Sequence, residues 1–203
     1  MFFTNVSHFP KINDEEKIPL VPFLEASKGI VQFVEILGTV FTPVKQDING
    51  NIEKLYKIHQ SDKTKFETIN DVIAYELEET NKVGIDALLW LKRALEYVQI
   101  LITCLIDDTK DGSCAEDLTP FFNKAYEEKL KPYHGWFVQK LFGLIVYAAP
   151  GRKSLLLLLN DNKEISDEEI MKEAESYVNQ LSHNIEIINR LYTTHNLHSN
   201  EKV

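Results

Sequence analysis

The stretch IDALLWLKRALEYVQILITCL, from Ile85 to Leu105, decides the fold. Its Leu88, Leu89, Leu91, Leu95, Val98 and Leu101 spread nearly all round a 3.6-residue period. A helix that is apolar on every side must be buried between other elements. The neighbouring segments repeat the helical spacing, and strand-like alternation is rare, so the chain reads as all-α. The spacing predicts helices over roughly 22–41, 45–59, 68–81, 84–107, 115–130, 135–159 and 166–196. Seven to eight helices around one central helix are most simply packed as a two-layer sandwich.

Several boundaries carry their own physical signal. Pro43 precedes the second helix, DDTKDGS follows Ile106, and Pro132 follows Leu130. SDEE at 166–169 offers a capping serine with an acidic first turn, which favours a helix start. Pro150 and Gly151 should break or kink the sixth segment. With no Gly/Ser/Pro-rich linker or repeat, the 203 residues are expected to form a single domain over 1–203.

Composition narrows the function. A net charge of −9 argues against nucleic-acid binding, because phosphate contacts need a basic patch. The start MFFTNVSHFPKINDEE lacks the charged and apolar regions of a signal peptide, so a cytoplasmic location is expected. The most apolar region, Trp136 to Leu159, is interrupted by Gln139, Lys140, Pro150, Gly151, Arg152 and Lys153 and falls short of a membrane span. Cys104 and Cys114 fit neither a disulfide framework nor a metal spacing. No catalytic signature is present: there is no nucleophile elbow, no Gly-rich phosphate loop and no zinc-binding histidine pair. Neither enzymatic activity nor a cofactor or metal is expected.

Three stretches carry polar groups where a helix could use them. In QDINGNIEKL, from Gln46 to Leu55, Asp47, Asn51 and Lys54 fall within an arc of about 60° on a helical wheel, beside an apolar stripe of Ile48, Ile52 and Leu55. A calcium loop is excluded, because its sixth position would be Ile52 instead of Gly and its twelfth Ile58 instead of Glu. Gly50 costs such a helix about 1 kcal/mol relative to Ala, which the close approach of a backbone or a ligand would justify. On the central helix, Asp86, Trp90 and Arg93 repeat the i, i+4, i+7 spacing; the indole suits either a core or a platform for a sugar ring. In LKPYHGWFVQKL, His134 stands at the start of a helix and Trp136 two residues later.

Taken together, FTPVKQDINGNIEKL, LLWLKRALEYVQ, KAYEEKLKPYHGWFVQKLF and YAAP resemble the glycolipid transfer protein family in order and spacing, from about Phe23 to Tyr192. The resemblance implies a two-layer all-α fold that takes one glycosphingolipid from a membrane surface and carries it through water. Glucosyl-, galactosyl- or lactosylceramide would be the cargo, and contact with the membrane would be transient and peripheral. By position, Asp47 matches the acceptor for the ceramide amide N–H, Asn51 and Lys54 the sugar-binding groups, Trp90 the stacking platform and His134 the donor to the amide carbonyl. An amide needs one acceptor and one donor, and Asp47 with His134 supplies both.

Other assignments are carried by the same resemblance. Phe33, Phe41, Val44, Phe142 and Tyr147 would line the chain pocket, and Trp136, with Lys140, Arg152 and Lys153, would touch the membrane. The branch that binds ceramide 1-phosphate carries Arg at the Trp90 position, so a neutral sugar is favoured here over a phosphate. A glycolipid sensor acting through a partner is the other reading open to the same site. Two positions depart from the family pattern: Glu201 stands where a tyrosine often precedes the terminal Lys-Val, and Asp86 replaces an apolar or small residue. Asp86 would add a hydroxyl acceptor or, as we favour, pair with Arg93.

Overall fold

A computed structural model of the chain describes residues 1–163 and 165–203. Among these residues the regular elements are helices: α1 (Phe2–Asn5), α2 (Leu20–Ile36), α3 (Thr42–Ser61), α4 (Ile69–Leu77), α5 (Val83–Lys110), α6 (Thr119–Lys129), α7 (Trp136–Tyr147), α8 (Arg152–Leu159) and α9 (Asp167–Thr194). Short 3-10 turns lie at Thr39–Phe41 and Lys131–Tyr133. The result is the two-layer all-α sandwich expected from the sequence, with α5 packed against α3, α4, α6 and α9.

Helix α5 is as buried as its pattern demands. Leu88, Leu91, Leu95 and Leu101 lose all contact with water, each contributing about 1.5–3 kcal/mol from the transfer of its side chain. Its first turn is fixed by Glu76, whose two carboxylate oxygens accept from the backbone N–H groups of Gly84 and Ile85, both at 2.8 Å. These are helix N-terminal donors that no intrahelical carbonyl can satisfy. A Cβ on Gly84 would come within 2.7 Å of Val72 Cγ1 and 2.8 Å of Ile58 Cδ1, so only glycine allows α4 and α3 to approach so closely. Polar stitches then hold α5 to α9. Lys92 Nζ donates to Asn189 Oδ1 at 2.8 Å, Asn189 Nδ2 donates to Glu96 Oε1 at 2.9 Å, and Gln99 Nε2 donates to Ser182 Oγ at 2.8 Å.

The cap signal read at SDEE is used: Ser166 Oγ accepts from Glu169 N at 3.3 Å. At α4 the structure adds a reciprocal capping box of Thr68 and Asp71. Pro150 and Gly151 do break the sixth predicted segment, and α7 and α8 cross at 83°. Among the described residues no single helix is long and apolar enough to cross a membrane.

The helix expected at 45–59 starts earlier, at Thr42, and the one expected at 68–81 stops at Leu77. Three other boundaries that differ from expectation have a visible local cause. The segment expected from 115 starts as α6 only at Thr119, because the carbonyls of Ala115 and Glu116 accept from the Arg152 side chain (Nε, 3.1 Å) and backbone (3.0 Å) instead of from a helix. Helix α5 continues to Lys110, where Gly112, at φ +72°, turns the chain. The segment expected to reach residue 41 stops at Ile36, and Gly38, at φ +109°, separates it from the turn at Thr39–Phe41.

Candidate functional site

Helices α3, α5 and α7 enclose a cleft of about 380 Å³. Asp47, Asn51 and Lys54 of α3, Trp90 of α5 and His134 before α7 all line it, so the structure brings the five predicted head-group residues to one place. The i, i+4, i+7 spacing aims the α3 stripe into the cleft, while Ile48, Ile52 and Leu55 of the same helix are buried in the core. Asn51 is itself buried: its Nδ2 donates to the Asp47 carbonyl at 3.0 Å, and its Oδ1 accepts from Lys54 Nζ at 3.3 Å. The stripe is therefore pre-organised as a linked set.

Electrostatics divide the work within it. Asp47 reaches water through the open mouth, yet the surrounding protein desolvates its carboxyl and raises its pKa, with Lys54 partly offsetting the rise. On the opposite wall, burial lowers the pKa of His134, and the nearby Arg93 lowers it further. His134 is accordingly neutral at pH 7, and its Nδ1 lies 3.1 Å from the Tyr126 hydroxyl. Burial pushes the Tyr126 phenol up to about 12, so the hydroxyl keeps a proton that it can donate to Nδ1 in the tautomer protonated at Nε2. That assignment leaves Nε2–H as the donor His134 can offer. The imidazole also stacks on Trp90, with centroids 6.3 Å apart and planes inclined by 17°.

The deeper wall is apolar, formed by Val44, Ala94, Leu130, Val138, Phe142 and Ile145. Val44 and Phe142 were expected there. Phe33 and Phe41 are instead sealed in the core: Phe33 packs on Phe2 and Phe3, and Phe41 packs on Phe122 and borders a separate small hollow. Tyr147 points away from the cleft and is 89% exposed. A phenylalanine stripe at helical spacing looks the same whether it meets a cavity or another helix.

Two further expectations are corrected. Arg152 was placed at the membrane, but it is 3% exposed and ties the end of α5 to α8 and α9. It donates to Asp108 and Thr109 and lies 3.5 Å from Asp167. Asp86 does not pair with Arg93. Seven residues span two turns, about 10.5 Å of helix rise, and Arg93 instead stacks on Tyr133, at 3.4 Å from the ring centroid, and on Trp90, at 4.8 Å. Nothing lies within 4 Å of a Cβ built on Gly50, so no neighbouring helix accounts for that glycine.

Sequence reasoning missed Tyr126, which contacts His134, and, around the expected Phe142, the run Val138, Leu141 and Ile145 as cleft wall. The 3–4 residue spacing of that run was the available signal. It also missed Val203, which lines the cleft mouth and pairs its backbone with Tyr133 (3.0 Å) and Gly135 (2.7 Å).

Comparison with known proteins now bears on this geometry. The family model described as glycolipid transfer protein matches residues 18–161. The chain belongs to the glycolipid transfer protein family. The glycolipid transfer protein of Danio rerio is 37% identical over 201 residues, covering 96% of each chain. Among solved structures, FAPP2, described as selecting simple glycosphingolipids with the GLTP fold, superimposes with a TM-score of 0.87 at 28% identity, over 100% of this chain and 99% of that one. Mouse ceramide-1-phosphate transfer protein shares the fold, with a TM-score of 0.82 at 23% identity over 97% and 94% of the two chains.

Proposed function

We propose that the protein, acting as one domain over residues 1–203, binds a single glycosphingolipid and carries it between membranes without chemical change. The observation that carries this reading is the convergence of Asp47, Asn51, Lys54, Trp90 and His134 on one cleft whose deeper wall is apolar. Asp47 accepts from the ceramide amide N–H, His134 Nε2–H donates to its carbonyl, Trp90 stacks under the sugar, and Asn51 and Lys54 bond its hydroxyls. A diacyl lipid offers no amide N–H and would leave Asp47 without its partner, a loss of about 1–3 kcal/mol. Glucosyl-, galactosyl- or lactosylceramide fits this set. A phosphate is served less well, because the neutral indole of Trp90 lines the cleft where a guanidinium would grip it, and Arg93 is engaged in stacking on Tyr133 and Trp90.

The outer face of α7 supports a transient membrane contact. Trp136 (70%), Phe137 (72%) and Leu144 (70%) stand exposed beside Tyr147, and Lys140 Nζ lies 4.3 Å from the centre of the Trp136 ring. An indole with a neighbouring ammonium suits the interface between lipid and water. Lys153 is exposed at the start of α8 and can join that face; Arg152 cannot. The location expected for such a carrier is the cytoplasm.

The test is native mass spectrometry after incubation with a mixed lipid extract, followed by vesicle-to-vesicle transfer of labelled galactosylceramide. Retention and transfer of a monohexosylceramide are expected. Retention of ceramide 1-phosphate in its place would overturn the reading, and tight glycolipid binding without transfer would turn it toward a sensor.

A further inference from the structure

Tyr97 lies on α5, seven residues beyond Trp90, and is 2% exposed. Among the described residues its hydroxyl has no hydrogen-bond partner, a rare condition for a buried polar group. Its ring stands perpendicular to that of Phe142, with centroids 5.6 Å apart. Phe142 lines the cleft and stacks on Tyr126 at 3.8 Å, and Tyr126 in turn holds His134. One aromatic ring, Phe142, thus stands between Tyr97 and the cleft.

Phenylalanine would fill the same space and leave no polar group unpaired. Burial also keeps the Tyr97 phenol protonated well above its usual range, so it remains both donor and acceptor at any working pH. The intervening ring belongs to α7, whose outer face carries the exposed Trp136, Phe137 and Leu144. On a sphingolipid acyl chain a hydroxyl beside the amide is the polar group that could answer Tyr97, were the chain to enter past Phe142.

We infer that Tyr97 is a specificity-determining residue that selects glycosphingolipids carrying a hydroxyl on the acyl chain next to the amide, the 2-hydroxyacyl class. The inference rests on the carrier reading above. When such a lipid binds, its chain hydroxyl exchanges a hydrogen bond with the Tyr97 hydroxyl; a plain acyl chain leaves Tyr97 unpaired.

The experiment offers the full-length protein an equimolar mixture of 2-hydroxystearoyl and stearoyl galactosylceramide in vesicles and measures the ratio bound by native mass spectrometry and the ratio transferred. The wild type should favour the hydroxylated lipid about threefold to tenfold, the yield of one net hydrogen bond. In Tyr97→Phe the ratio should fall to about one, through a loss on the hydroxylated lipid. A ratio of one in the wild type overturns the inference without any variant, and is the result expected if a buried water satisfies Tyr97. Equal selectivity in wild type and Tyr97→Phe overturns it as well. Binding of neither lipid overturns the carrier reading itself, so the two failures are distinguishable.

Discussion

Helices α5 and α7 both line the cleft, and their chemistry is reversed. Helix α5 buries charge: Lys92, Arg93 and Glu96 are all under 10% exposed. Helix α7 exposes grease, with Trp136, Phe137 and Leu144 each about 70% exposed. Either pattern alone would be unfavourable, since buried charges need partners and exposed apolar patches invite association. The partners of α5 are supplied by α9 and α6: Asn189 bridges Lys92 and Glu96, and Lys129 lies 3.7 Å from Glu96. Among the described residues no helix covers Trp136, Phe137 and Leu144 on the outer face of α7, and in the carrier reading a membrane does so intermittently. In that reading one helix is a fixed wall and the other a wall that meets the lipid's source.

The largest effect should come from breaking the fixed wall. In Glu96→Ala, the Lys92 ammonium loses its carboxylate inside the protein, and burial, which already lowers its pKa, goes uncompensated. Removing one member of a buried pair costs about 3–5 kcal/mol; the surviving bond to Asn189 places this variant near the lower end. Chemical denaturation would measure it, and a loss under about 1 kcal/mol would show that α5 does not depend on this network.

Next comes Trp90→Ala, which removes the face of α5 that looks into the cleft. Losing about 1.5–3 kcal/mol of apolar contact corresponds to about a tenfold to hundredfold weaker affinity for galactosylceramide. The fold should survive, because Trp90 is partly exposed at the cleft and is not a core residue. Titration of lipid against the variant checks both points.

On the opposite wall, Trp136→Ala combined with Phe137→Ala should reduce transfer between vesicles several-fold while leaving affinity for micellar lipid close to the wild type. A parallel fall in both would assign these residues to the cleft instead of to the membrane-facing side of α7.

The contrast also explains what could be read from the sequence. The burial of α5 was legible because its apolar residues surround the axis, and the α3 stripe was legible because three polar residues share a face. Phe33, Phe41 and Tyr147 were misplaced because period alone tells which side a residue occupies, not whether that side meets a cavity, a helix or water. Arg152 was taken for a surface cation because its partners, Asp108, Thr109 and the Ala115 carbonyl, lie 37 to 44 residues earlier. Tyr126 escaped notice for a related reason: its role exists only through the eight-residue return of the chain that sets it against His134. Long-range pairing of polar groups leaves almost no local trace, whereas burial of a whole helix leaves a strong one.

The smallest expected effect concerns His134, which joins the two walls by stacking on Trp90 while leading into α7. Its pKa is lowered in the folded protein, first by burial and then by Arg93, from an ordinary value of 6.5. Below that value the unfolded chain takes up the proton more readily than the folded one, so stability is complete above about pH 6.5 and declines as the pH falls through it. His198 shifts in the same direction, whereas Asp47, raised by burial, acts in the opposite sense at more acidic pH. The contribution of His134 is therefore isolated as the difference between wild type and His134→Gln across pH 5 to 7. The wild type should lose stability faster on acidification, because protonating Nδ1 also removes the acceptor for the Tyr126 hydroxyl. Parallel curves would mean that water reaches the imidazole freely, and that the wall between α5 and α7 is less closed than its burial implies.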